Sequence, residues 1–133
     1  MTIAIPPESP RLQPTGWLRY FSFSVDHKVI GLQYLVCGFA FYLVGGALAG
    51  AIRTELASPV SDFMARDVYN QVLTLHGTVM IFLWIVPVVN GAFGNYLIPF
   101  YVGARDMAFP RLNAVAFWLI PPAGLMLITS YFL

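Results

Sequence analysis

Three apolar runs organise the chain. Val29 to Ile52 carries no charged residue, and at about 1.5 Å of rise per residue it reaches roughly 36 Å, enough to cross a bilayer with some tilt. Asp26-His27-Lys28 precedes this run and Arg53-Thr54-Glu55 closes it. A second run extends from near Val72 to about Val102. It is longer than one crossing needs, and Pro87 within it predicts a kink. The third, Leu112 to Leu133, is interrupted by Pro121-Pro122. Residues 54–71 and Gly103 to Arg111 read as polar connections. The pattern predicts an all-α transmembrane fold with three membrane-spanning helices at about 29–52, 72–102 and 112–133. Ahead of it, Met1 to Gly16 holds Pro6, Pro7, Pro10 and Pro14 with Glu8 and Arg11, an irregular polar arm. Trp17 to Phe23 mixes aromatics with Arg19 and suits a short element at headgroup level. The chain therefore divides into an arm with an interfacial segment, 1–28, and a membrane domain, 29–133.

Composition supports the membrane assignment. Hydrophobic residues make up 59% of the chain and charged ones 10%, where a soluble domain carries about 25% charged residues. A net charge of +1 excludes a nucleic-acid partner, which needs a concentrated basic patch. One cysteine, Cys37, leaves no intrachain disulfide, and the absence of Cys-x-x-Cys-His excludes covalent c-type haem. Arg11, Arg19, Lys28, Arg105 and Arg111 flank one membrane side, whereas only Arg53 and Arg66 flank the other. That bias places the N-terminus in the cytoplasm. The third run then leads outward without a polar tail, as expected of a piece of a longer polypeptide. Gly46-x-x-x-Gly50, beside Gly38 and Gly45, is a candidate for close helix packing in lipid.

A few polar residues resist a bland explanation. A histidine inside a membrane helix is costly unless it has a partner. For His76 two readings stand side by side: a hydrogen bond to a neighbouring helix, or an axial ligand offered to haem iron. Gly77 beside it leaves room for something flat. Arg53 ends the first span, and the antiparallel course of the second places His76 only a few ångströms deeper. A guanidinium there suits a haem formyl or propionate, or else snorkels to the interface. Tyr69 lies seven residues before His76, on the same helical face. At the other membrane side stands Asp106, either a proton collector or a solvated acid paired with Arg105 or Arg111. Asn95 and Asn113 can order waters leading inward. Glu55, Asp62 and Asp67 gather on the outer loop, a weak signal for a hard cation. His27 reads as an interface residue, and Cys37 and the methionines read as packing. Asn90 has no physical account.

Several blocks together resemble the haem–copper oxidase subunit I family. They are Asp26-His27-Lys28-x-Ile30-Gly31, Leu75-His76-Gly77-x-x-Met80-Ile81-Phe82, Phe93-Gly94-Asn95-Tyr96-Leu97-x-Pro99, Gly103 through Asn113 (GARDMAFPRLN) and Phe117-Trp118-Leu119. The resemblance covers about residues 24–133 and implies the N-terminal portion of a twelve-helix subunit that reduces dioxygen to water and pumps protons. It implies that His76 is an axial ligand of the low-spin haem, of haem a type, with Arg53 at the haem periphery; Tyr69, placed by spacing alone, either supports that site or is an ordinary belt aromatic. Glu55 matches a carboxylate of an outer cation site. Asp106 matches the entrance of the D proton pathway, with Asn95 and Asn113 along it. The high-spin haem and copper belong to later helices and are not ligated by this segment, so no catalytic residue falls within it. Arg105 stands where many mitochondrial members have proline, and Ala114 where many have a second asparagine.

The resemblance implies as partners the rest of subunit I, oxidase subunits II and III, the lipid bilayer, and cytochrome c or quinol as electron donor. It implies a multi-pass protein of a bacterial cell membrane or internal respiratory membrane. A quinol oxidase and an inactive membrane fragment are the alternatives.

Overall fold

The computed structural model describes residues 16–57, 59 and 63–132; the proline-rich arm with Glu8 and Arg11, and Asp62 of the outer loop, lie outside them. A short 3₁₀ helix, Trp17–Phe21, leads into a first span, His27–Glu55. The second span is Arg66–Val102 and the third Pro110–Phe132, the last turn of it 3₁₀. All three are long and apolar enough to cross a membrane, and among the described residues there is no strand.

The helix ends follow local chemistry. Asp26 caps the first span, its carboxylate accepting from the Lys28 backbone N–H at 2.9 Å. The cap starts the helix at His27 rather than Val29 and fixes that imidazole in the first turn. The second helix begins at Arg66, well before Val72, with Asp67 in its first turn where the helix dipole favours a negative charge. The connection between the first two spans is correspondingly shorter than the 54–71 expected. Glu55 Oε2 accepts from the Met64 N–H at 3.0 Å and ties that connection across its base. At the other side Gly103 closes the second span with φ of 70°, a left-handed cap that glycine adopts without strain. Pro121-Pro122 does not interrupt the third helix, which is continuous from Pro110 to Thr129. Membrane helices tolerate proline when their surroundings re-satisfy the freed carbonyls.

The second span is not a uniform α-helix. Val79–Ile85 and Pro87–Phe93 are π-helical, with Pro87 opening the second stretch. The reason is legible in its buried side: Leu75, Val79, Leu83, Pro87, Gly91, Asn95 and Pro99 recur every fourth residue. In an α-helix of 3.6 residues per turn such a stripe drifts by roughly 40° per repeat. The wider i→i+5 turns take up that excess and keep the stripe on the first span.

The seam between these spans is built from glycines, though not Gly46-x-x-x-Gly50. A Cβ on Gly46 or Gly50 would meet nothing within 4 Å. The close contacts are at Gly31, Gly38 and Gly45, one heptad apart. A Cβ would lie 3.2 Å from the Ala92 carbonyl at Gly31, 2.7 Å from Val88 Cγ2 at Gly38 and 2.5 Å from Met80 Sδ at Gly45. The second and third spans return the arrangement: Gly91 receives the ring of Tyr34, and Gly124 that of Phe41. Tyr34 also meets Phe117 edge-on, ring centroids 5.2 Å apart. Burial of apolar surface does not drive helices together in lipid, so backbone approach and ring packing of this kind supply the contact. Much of the remaining apolar surface, including Ile81, Phe82, Phe93, Ile98, Leu119 and Leu125, faces outward.

In the full-length subunit, Gly91→Ala is expected to cost about 1–3 kcal/mol, because the Tyr34 ring is held by Phe117 and must shift. Gly94→Ala, whose Cβ would make only ordinary contacts beyond 3.7 Å, is expected to change stability by less than about 1 kcal/mol. Detergent-denaturation midpoints of the two variants check the contrast.

Candidate functional site

His76 sits half-buried in the second span, and its Nδ1 lies 2.9 Å from the backbone carbonyl oxygen of Gly45. A carbonyl can only accept, so Nδ1 carries the proton. The neutral ring then presents its lone pair at Nε2. Among the described residues nothing hydrogen-bonds Nε2. The first sequence reading, a hydrogen bond to a neighbouring helix, is what the structure shows; Nε2 has no hydrogen-bond partner among the described residues. The Gly45 carbonyl is reachable because the glycine has no side chain to hold the second helix away.

Three glycines on these two helices face open space. A Cβ on Gly77, Gly46 or Gly50 would meet nothing within 4 Å. Gly46, Gly50 and Arg53 share one stripe of the first span at i, i+4 and i+7. Arg53 is exposed in the last turn of its helix and makes no ion pair among the described residues. The expectation that His76 lies only a few ångströms deeper than Arg53 is corrected. His76 meets the first helix at Gly45, two turns or about 12 Å along the axis from Arg53. The second helix starts earlier than the hydropathy suggested, which carries His76 further in. An imidazole anchored through Nδ1 and a guanidinium about two turns away are a donor set compatible with a haem. Tyr69 is half-buried one heptad before His76. Glu55 spends one carboxylate oxygen on the Met64 N–H. Among the described residues no three metal-binding side chains gather together.

A second polar group occupies the opposite end of the bundle. Asp106 Oδ1 lies 3.1 Å from His27 Nδ1 and also accepts from the Met107 N–H at 2.8 Å. Its partner is thus His27, neither Arg105 nor Arg111, and His27 is no ordinary interface residue: it is only 7% exposed, against an Asp106 side chain 44% exposed. Sequence reasoning set His27 aside because nothing in its spacing links it to Asp106; the Asp26 cap, which starts the helix at His27, was the available signal. His27 borders a groove of about 490 Å³ that also touches Lys28, Tyr96 and Arg105. One layer deeper, Asn95 is 3% exposed. Its Nδ2 donates to the Gly91 carbonyl at 2.6 Å, and its Oδ1 accepts from Asn113 Nδ2. The two asparagines bond each other directly across the second and third spans. A Cβ at Gly31 would make an ordinary contact with Asn95 Cβ at 3.5 Å.

The Asn95–Asn113 bond has a measurable signature. Asn113→Val leaves a buried carbonyl oxygen on Asn95 without its donor, and a loss of about 1–3 kcal/mol is expected, whereas the double change Asn95→Val/Asn113→Val loses less than the sum of the single ones. A double-mutant cycle on thermal stability of the full-length subunit reads this coupling.

Comparisons with known proteins place the chain in a family. The family model for cytochrome c and quinol oxidase polypeptide I matches residues 29–133. The chain is 62% identical over 125 residues to a cytochrome c oxidase subunit 1 of Thermostichus vulcanus, covering 94% of this chain and 22% of that protein. It is 60% identical over 132 residues to the cytochrome c oxidase subunit 1 of Synechocystis sp., covering 99% of this chain and 24% of that one. A heme-copper oxidase subunit I+III of Aeropyrum pernix is 44% identical over 117 residues, covering 88% of this chain and 14% of that protein. The chain thus spans about a quarter of the length of the first two relatives. With all three membrane-length helices inside the matched region, the chain belongs to the cytochrome c and quinol oxidase subunit I family.

Proposed function

We propose that this chain forms the N-terminal part of the catalytic subunit of a respiratory terminal oxidase, which reduces dioxygen to water with electrons from cytochrome c and couples the reaction to proton pumping. The observation that carries the proposal is the His76 imidazole, bonded through Nδ1 to the Gly45 carbonyl and without a hydrogen-bond partner at Nε2 among the described residues. The names of the cytochrome c oxidase relatives favour cytochrome c over quinol as donor.

His76 would hold the low-spin haem through Nε2. The hydrogen bond at Nδ1 fixes ring rotation and tautomer and raises the basicity of the ligating nitrogen. Arg53 would donate to an oxygen at the haem rim, and its fixed positive charge stabilises added negative charge nearby. Tyr69 would support the same face. When bound, such a group supplies one-electron transfer toward an oxygen-reducing centre on later helices. The remaining work done by these residues is orientation and exclusion of water.

The polar end has a different task. The exposed carboxylate of Asp106 can take a proton from the aqueous phase, and the buried His27 Nδ1 at 3.1 Å shares it. From there the direct Asn95–Asn113 bond crosses the route inward. A file of waters passes only when these amides exchange their mutual bond for bonds to water. On this reading the entrance side is cytoplasmic, the N-terminus lies there, and the chain works in a bacterial respiratory membrane with the rest of subunit I and with subunits II and III.

In the full-length oxidase His76→Ala is expected to abolish the low-spin haem absorbance, while Arg53→Gln keeps the haem and shifts its band. Visible spectra of purified variants decide. Asp106→Asn is expected to slow turnover and proton uptake by roughly 10- to 100-fold with an unchanged spectrum, measured with reduced cytochrome c in reconstituted vesicles; normal uptake removes Asp106 from the route.

A further inference from the structure

At the end of the bundle opposite Arg53, the groove of about 490 Å³ beside His27 lies between the first turn of the first span, the last turns of the second and the turn that follows it. Two cationic side chains line it, Lys28 and Arg105, and both are exposed. Among the described residues neither makes an ion pair. The neighbouring acids do not line the groove and have other partners. Asp106 is held by His27 Nδ1 and the Met107 N–H, and Asp26 accepts from the Lys28 backbone N–H. The wall beneath the cations is apolar, formed by Leu97 and Phe100 with Tyr96 beside them. Phe100 is 80% exposed and Tyr96 55%, so no described element covers that wall.

The vertical order of these groups decides what fits. Lys28 stands in the first turn of the first span, and Arg105 just beyond Val102, which ends the second, so both charges lie at headgroup depth. Phe100 is in the last turn of the second span, and Leu97 and Tyr96 lie about one turn, roughly 5 Å, deeper. A single interfacial lysine or arginine only snorkels to water. Here two cations from different elements line one groove, and an exposed apolar strip leads from them into the hydrocarbon. That is the complement of an amphiphile with an anionic head and an acyl tail, and basic pockets between membrane helices take anionic lipid headgroups in this way. We infer that the groove is a specific site for an anionic phospholipid such as phosphatidylglycerol. Its phosphate accepts from Lys28 and Arg105, and one acyl chain lies along Phe100 and Leu97. A phosphatidylcholine brings the same chain but also a quaternary ammonium that the two cations repel. The inference rests on the membrane placement of the helices and not on the haem or proton readings, so normal proton uptake in Asp106→Asn leaves it standing.

The test uses the complete oxidase containing the full-length subunit, delipidated, then incubated with vesicles of equimolar phosphatidylcholine and phosphatidylglycerol and examined by native mass spectrometry. Lys28→Gln and Arg105→Gln are each expected to weaken retention of a phosphatidylglycerol roughly fivefold, and the double variant more than either, with unchanged haem absorbance. Arg111→Gln, which removes an exposed cation outside the groove, is expected to leave retention unchanged. A photoreactive residue at Phe100 is expected to capture phosphatidylglycerol in preference to phosphatidylcholine. Equal capture of the two lipids overturns the headgroup assignment. An equal loss in Arg111→Gln reduces the effect to diffuse surface attraction and overturns the site. Retention unaffected by the double variant, or capture of an oxidase peptide in place of lipid at Phe100, overturns it as well. A variant that loses its haem absorbance is replaced by Ala104→Trp, which fills the groove without changing its charge and is read in the same way.

Discussion

The structure turns on one hydrogen bond between helices, from His76 Nδ1 to the Gly45 carbonyl. It needs two things at once. A glycine must stand at position 45, so that the second span reaches the backbone of the first, and a histidine must stand where the second helix makes that approach. In hydrocarbon, polar groups need protein partners and apolar packing alone gives little drive for association. The bond therefore serves two ends. It satisfies the imidazole's proton inside the membrane and leaves the remaining nitrogen with a lone pair aimed away from the contact.

The rest of the three-helix unit keeps this register. Gly31, Gly38 and Gly45 form a heptad seam on the first span. The second span answers with a four-residue stripe that α-helical winding alone would carry off the seam. Its π-helical stretches, Val79–Ile85 and Pro87–Phe93, hold the stripe in place. One consequence is that a single helix brings His76 and Asn95 to the first span at two separate levels. At the Asn95 level the third span joins through Asn113. At the end of the bundle it is the turn before the third span, through Asp106, that closes on His27. The polar side chains of the interior are thus not scattered. They cluster where glycines or helix caps let elements meet.

Much of this was legible in the sequence. The three spans followed from uninterrupted apolar runs, and His76, Arg53, Asp106, Asn95 and Asn113 stood out because polar residues in lipid need a reason. Other features were hidden, for physical causes. Helix starts depend on local chemistry: the Asp26 cap moved the first boundary, and the second helix begins at Arg66, which changes the depth of His76 relative to Arg53. Gly46-x-x-x-Gly50 matched a packing motif, but the seam uses glycines seven apart, a choice set by which face the partner presents. The π-helical stretches were encoded in the four-residue period, which departs visibly from 3.6. The His27–Asp106 pair joins residues 79 apart, and no local pattern announces it. Asn90 is exposed in the structure, and nothing in the described residues explains it.

The central claim is that the Gly45 carbonyl fixes the His76 ring so that Nε2, and not Nδ1, is the donor to iron. Pulsed electron paramagnetic resonance on the full-length oxidase, with histidine labelled selectively at Nδ1 or Nε2, measures this directly. The account predicts strong hyperfine coupling from Nε2 of the histidine bound to the low-spin iron, only weak coupling from a protonated Nδ1, and loss of the low-spin signal itself in His76→Ala. Strong coupling from Nδ1, or a low-spin signal that persists in His76→Ala, would contradict it.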